Sequence, residues 1–183
     1  MKTINTYIIE KLKISKNKQV EYILFPKDID ELEEMILHEI EVHGKNCSLN
    51  HIDVSKITDM SYLFYRSKIA MFNGNISEWD VSSVTNMHSM FMHADFNGDI
   101  SEWDVSNVTD MRTMFYDAKF NGDISGWDVS NVKSMVSMFS FNTKFNQDIS
   151  RWKINNNCKT EHMFDNCSTE DKYKPYKNSK RIE

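Results

Sequence analysis

The chain has 183 residues, 40% of them hydrophobic and 12% aromatic, which suits one domain or one compact array with a sizeable core. Its 22 Lys and Arg against 27 Asp and Glu leave a net charge of −5, so it lacks the basic excess of a general nucleic-acid binder. Cys47, Cys158 and Cys167 are scattered and form no C-x-x-C pair, which argues for free thiols in a reducing compartment and against a disulfide framework.

From the N-terminus, Ile4, Ile8 and Leu12 fall at helical spacing, and residues 4–14 read as a helix. Asn5, Glu10, Lys11 and Lys13 interrupt the apolar run a secretory signal needs, and no stretch approaches the roughly 18 apolar residues of a membrane span. The expectation is a cytoplasmic protein with no membrane partner. Val20–Phe25, rich in aromatic and β-branched residues, reads as a strand closed by Pro26. Asp28 then opens a second helix, with Glu31 three residues on as in a capping box, an apolar stripe of Ile29, Leu32, Ile36 and Ile40, and Gly44 at the C-terminal cap. Seven acids and no Lys or Arg lie between Asp28 and Val42, the pattern of a solvated face.

From Phe72 onward one phrase of 24 to 25 residues repeats: Trp79, Trp103, Trp127 and Trp152, all the tryptophans in the chain, are spaced 24, 24 and 25. A fixed period of this length marks units that bury their apolar edges by stacking on one another. Within residues 96–119, Gly98 permits a sharp turn before a short strand centred on Ile100. Val108, Met111, Met114, Phe115 and Ala118 then recur three and four apart, which predicts a short helix capped by Ser106. The expected fold is an α/β repeat solenoid, a leucine-rich-repeat-like stack of short parallel strands and short helices. A strand and helix over 1–45 cap it. The array covers 46–169 as a partial unit 46–71 with three extra residues within Tyr65–Met71, units 72–95, 96–119 and 120–144, and a terminal unit 145–169 whose second half decays. Residues 170–183 read as a disordered tail.

The phrase I-S-x-W-D-V-S-N-V-T-x-M-x-x-M-F, standing at Ile100–Phe115 and recurring in near-identical form at Ile124–Phe139, resembles the BspA-like branch of leucine-rich repeats across about residues 46–167. The resemblance implies a curved array of the kind found in bacterial surface proteins, mycoplasma lipoproteins and proteins of protists, large viruses and phages. It also implies adhesion or protein binding, and so a surface or virion location. The chain shows neither the signal peptide nor the lipid-attachment cysteine of surface members.

Two columns of acids, Asp99, Asp123 and Asp148 with Asn75, and Asp80, Asp104 and Asp128, could neutralise a cation, but their recurrence is what a folding need predicts. They read as acceptors for backbone amides in turns. The Trp, Phe and Met columns read as core. Positions that change from unit to unit are free of that demand: Glu78, Glu102 and Arg151 in one column, His88 and Arg112 in another, and Tyr116 and Phe141 in loops. These seven are the candidate contacts for a protein partner. No H-E-x-x-H, zinc-spaced Cys/His pair, P-loop or nucleophile elbow occurs. The expected function is a monomeric, non-enzymatic, cofactor-free protein-binding scaffold. The alternatives are an assembly protein that self-associates through the ends of its array, or a surface adhesion module.

Overall fold

The structure, a computed structural model, describes residues 24–65, 68–178 and 180–182. The helix predicted over 4–14 and all but the end of the strand predicted over 20–25 lie outside the described residues. Leu24, from that end, makes a single parallel bridge with Ile52. The second helix forms as expected: α1 spans Ile29–His43, the Asp28 carboxylate accepts from the Glu31 amide, and Gly44 caps the other end with φ 85. Leu32, Met35 and Ile36 are buried along its inner face.

The α/β solenoid of parallel strands and helices is not what the repeats form. Among the described residues there is one α-helix and one two-stranded antiparallel sheet, and both lie outside the repeated phrase. Instead, each unit is a chain of tight turns laid in register on its neighbour. Ile100–Trp103, where the short strand was expected, closes a turn by a backbone bond, and Val105–Val108 closes another. Parallel contact between units shrinks to single bridges, Asp59 to Asn86, Asn86 to Asp110, Asp110 to Ser134 and Ser134 to Lys159.

The predicted helix from Val108 fails for an identifiable reason. In a helix every amide would bond four residues back. Here Met111, Thr113, Phe115 and Asp117 donate forward to the carbonyls of Ser134, Val136, Met138 and Ser140 in the next unit, all at 2.9 Å. The alternate amides of Met114, Tyr116 and Ala118 close turns onto Met111, Thr113 and Phe115. This alternation requires left-handed backbone at Thr113 (φ 51) and Asp117 (φ 48), and it recurs at Ser89 and His93, Ser137 and Phe141, and His162 and Asn166. Each such non-glycine residue costs about 1–2 kcal/mol. Inter-unit hydrogen bonds, worth roughly 1 kcal/mol each, offset that cost. Tandem turns return side chains to the core every three or four residues, as a helix does, so the apolar spacing alone could not separate the two. With no helix, Ser106 caps nothing; its amide bonds Asp104 and its carbonyl accepts from the Asn131 side chain.

The core is built of columns. Phe72, Phe96, Phe120 and Phe145 stack with centroids 6.2–6.3 Å apart, and Phe64, Phe91, Phe115, Phe139 and Phe164 form a second ladder at 5.0–5.6 Å. Burying each ring contributes roughly 2–3 kcal/mol. The tryptophans point inward, and each indole N–H donates to a carbonyl of the preceding unit: Trp79 to Leu49, Trp103 to Ile76, Trp127 to Ile100 and Trp152 to Ile124. A ladder not foreseen in the sequence runs through the asparagine after each repeat phenylalanine. The side-chain oxygens of Asn73, Asn97, Asn121 and Asn146 accept the amides of Asn97, Asn121, Asn146 and Glu170. Gly98 has no positive φ; a Cβ there would press against the Phe96 ring at 2.7 Å and the Gly74 carbonyl oxygen at 2.9 Å, whereas the terminal unit carries Gln147 in the same column.

The tail read as disordered instead carries a 3-10 turn, Asp171–Tyr173, and a hairpin of β1 (Tyr176–Lys177) and β2 (Lys180–Arg181). Its composition is polar, but three anchors suffice. Tyr173 accepts the Ile149 amide at 3.1 Å, and Pro175 and Ile182 are buried. Cys167, placed by alignment in the column of Ala94 and Ala118, is half-buried where they are buried.

Candidate partner-binding face

The tandem turns present an outward edge once per unit, and that edge carries rings. Tyr62, on a left-handed residue (φ 62), lies 4.9 Å from the His88 ring and 5.9 Å from Tyr65. Tyr65 stands 6.0 Å from His93, His93 5.6 Å from Tyr116, and Tyr116 5.5 Å from Phe141. Six rings thus make one continuous ridge across four units. It is not a buried ladder: Tyr62 and Tyr65 are each 41% exposed and Phe141 is 45% exposed.

The polar groups beneath the rings fix their orientation. His88 Nδ1 lies 3.0 Å from the Arg112 carbonyl oxygen, which can only accept, so the proton sits on Nδ1. In the neutral ring Nε2 is then an acceptor, and the Tyr62 hydroxyl at 2.7 Å donates to it. His93 Nδ1 is held 2.9 Å from the Asp117 carboxylate, and the Ser89 and Thr113 hydroxyls pair at 2.7 Å. Arg112 turns back onto Asp110, with Nη2 at 2.6 Å and Nε at 2.9 Å from Oδ2. Burial works against the Asp110 carboxylate, but bonds from the Arg112 side chain and amide hold it below the usual carboxylate range.

Of the seven residues expected from sequence variation, His88, Arg112, Tyr116 and Phe141 meet on this ridge. Glu78, Glu102 and Arg151 do not join it; they are exposed on the turns between Ile76 and Trp79, Ile100 and Trp103, and Ile149 and Trp152. Tyr62 and Tyr65 were missed. Alignment of the shortened first unit places Tyr62 in the column of Ser89, Thr113 and Ser137, and Tyr65 in the column of Met92 and Tyr116, so a tyrosine among small residues in one column and a second tyrosine in the column of Tyr116 were the available signals.

The acid columns act in the turns. Asp99, Asp104, Asp123, Asp128 and Asp148 each accept the backbone amide two residues on, at 2.9–3.0 Å, and Asn75 does the same. Among the described residues no group of three or more His, Cys, Asp or Glu could hold a metal ion, and no helix is long and apolar enough to cross a membrane.

The family described as "Mycoplasma protein of unknown function, DUF285" matches residues 30–120 and again residues 116–180. No curated protein and no solved structure matches the chain.

Proposed function

The chain belongs to the DUF285 family, whose function is unknown, and from that premise we propose that it is a non-enzymatic scaffold that binds a protein through its ring-bearing ridge. The observation that carries this reading is the unbroken line of six partly exposed rings, neighbours 4.9–6.0 Å apart, on positions the repeat does not require to be aromatic. Tyrosine and arginine supply most of the strong contacts in protein interfaces, because they bury large area at small cost in rotamer freedom. A scaffold of stacked turns, with every second amide locked to the next unit, holds these rings at fixed spacing before a partner arrives, which reduces the ordering entropy of binding.

The test compares partners captured from extract of the source cell by three proteins. Wild type and Glu78→Ala/Glu102→Ala should retain the same specific protein. Tyr116→Ala/Phe141→Ala should bind it roughly 30-fold more weakly, the size of a hot-spot loss. Equal capture by all three would refute the ridge as the binding face.

A further inference from the structure

A second site, independent of the ridge, lies at the C-terminal end of the stack. Every unit but the last passes alternate amides to the carbonyls of its successor: Met87, Ser89, Phe91 and His93 bond Asp110, Arg112, Met114 and Tyr116, and Met135, Ser137, Phe139 and Phe141 bond Lys159, Glu161, Met163 and Asp165. In the last unit the matching amides are those of Thr160, His162, Phe164 and Asn166. None of the four has an acceptor among the described residues. His162 (φ 60) and Asn166 (φ 54) nevertheless hold the left-handed backbone that aims such amides along the stack.

These donors do not face a covering unit. The β1–β2 hairpin stands opposite Thr160 and His162 across a cleft of about 480 Å3, and Lys174 lies over the Phe164 ring. Thr160, Glu161, His162 and Asp165 line one wall, and Lys177, Lys180, Arg181 and Ile182 the other. Asp165 is paired with His162 at 2.8 Å, Lys177 is tied to the Cys158 carbonyl, and Arg181 to the carbonyls of Asp171 and Lys174. Lys180 is exposed, and no hydrogen bond or ion pair ties its side chain down among the described residues. The hairpin wall therefore carries three cations against two acids on the other, one of which bonds His162.

We propose that this end binds a segment of polypeptide from an acidic partner, laid down as one further unit. Its carbonyls, two residues apart, accept from the amides of Thr160, His162, Phe164 and Asn166, and its carboxylates face the Lys177–Arg181 hairpin. Main-chain hydrogen bonds hold the segment, and charge selects it, as when an extended peptide adds to an exposed strand edge. The receiving geometry is the one that already binds carbonyls in the preceding units of the same chain.

The full-length protein, labelled with 15N, is titrated with the synthetic peptide Thr-Asp-Met-Glu-Thr-Met-Phe-Tyr-Asp-Ala, which copies residues 109–118 with glutamate in place of Arg112. The expected result is saturable movement of the amide resonances of Thr160, His162, Phe164 and Asn166, with slowed hydrogen exchange at the same four. Lys180→Glu, at an exposed position outside the core, should leave the rest of the spectrum unchanged and weaken binding at least threefold. Movement confined to other residues, no saturation, or equal binding by Lys180→Glu would overturn the proposal. Shifts of the same four amides with protein concentration alone would overturn it too, by making the occupant a second copy of this chain.

Discussion

A methyl group added at each repeat glycine should reduce stability in a graded order set by what the new carbon meets. At Gly74 the Cβ would lie 1.9 Å from the Cys47 carbonyl oxygen, so backbone must move by roughly 1.5 Å to restore contact distance. That oxygen accepts the Asn75 amide at 3.1 Å, and Leu49 donates back to the Asn75 carbonyl at 2.8 Å, so the movement strains an inter-unit pair as well. Overpacking of about 1–3 kcal/mol plus one weakened hydrogen bond of about 1 kcal/mol gives a loss near 3 kcal/mol for Gly74→Ala. At Gly98 the nearest carbonyl oxygen is at 2.9 Å, and at Gly122 it is at 3.5 Å, leaving only the Phe120 ring at 2.8 Å as an obstacle. Losses of about 2 and about 1 kcal/mol follow. Gly126 has nothing within 4 Å and no positive φ, so Gly126→Ala should be neutral or stabilise by about 0.5 kcal/mol through the unfolded chain. Urea unfolding followed by tryptophan fluorescence reads the series. With a slope near 2 kcal/mol/M, Gly74→Ala should lower the midpoint by about 1.5 M. A midpoint for Gly74→Ala equal to that of Gly126→Ala would show that the close approach of units at the glycine column is wrong.

Acid should loosen the stack from the turns outward. Asp99 is held below the usual carboxylate range by the backbone amide and hydroxyl of Ser101, and Asp53, Asp104 and Asp128 by the hydroxyls and amides of Ser55, Ser106 and Ser130. A depressed pKa contributes stability that is full above the unfolded value near 4 and is lost as pH falls through the folded one, so the melting temperature should drop steadily below about pH 4. Asp99→Asn keeps the acceptor oxygen without the proton linkage and should shallow that drop. Burial pushes the Cys158 thiol up to about 11, so iodoacetamide at pH 8 should leave it unmodified in the native protein and alkylate it once urea unfolds the chain. Trp103→Phe keeps a ring in the core but removes the indole N–H that donates to the Ile76 carbonyl at 3.1 Å, leaving that carbonyl with the Trp79 amide alone; a loss of about 1 kcal/mol is expected by urea unfolding, and an unchanged midpoint would show that the indole bond adds nothing to stability.

The ridge was half legible in advance. Sequence variation pointed at His88, Arg112, Tyr116 and Phe141 because a repeat exposes which letters folding does not dictate. It also pointed at Glu78, Glu102 and Arg151, which vary equally but sit on other turns. Column drift records freedom from packing, and that freedom holds on every outward edge. Only the placement of the rings separates one edge from another. His93 reaches both Tyr65 and Tyr116 because the left-handed turns carry it to the rim, a position no spacing rule implies.

By itself the sequence determined the period, the inward columns of Phe, Trp, Val and Met, the acceptor role of the acids, and α1 with its Asp28 and Gly44 caps. Each of these rests on local chemistry or on strict recurrence: a cap needs only its own turn, and an apolar residue repeated every 24 or 25 positions has no stable place except against its copies. The tertiary structure decided where the backbone amides go. A segment such as 111–118 satisfies an apolar spacing of three and four equally as a helix or as tandem turns. Bonding alternate amides to a unit 23 residues away selects the turns, and that partner exists only once the units are stacked. The ridge and the open amides at Thr160, His162, Phe164 and Asn166 follow from the same choice.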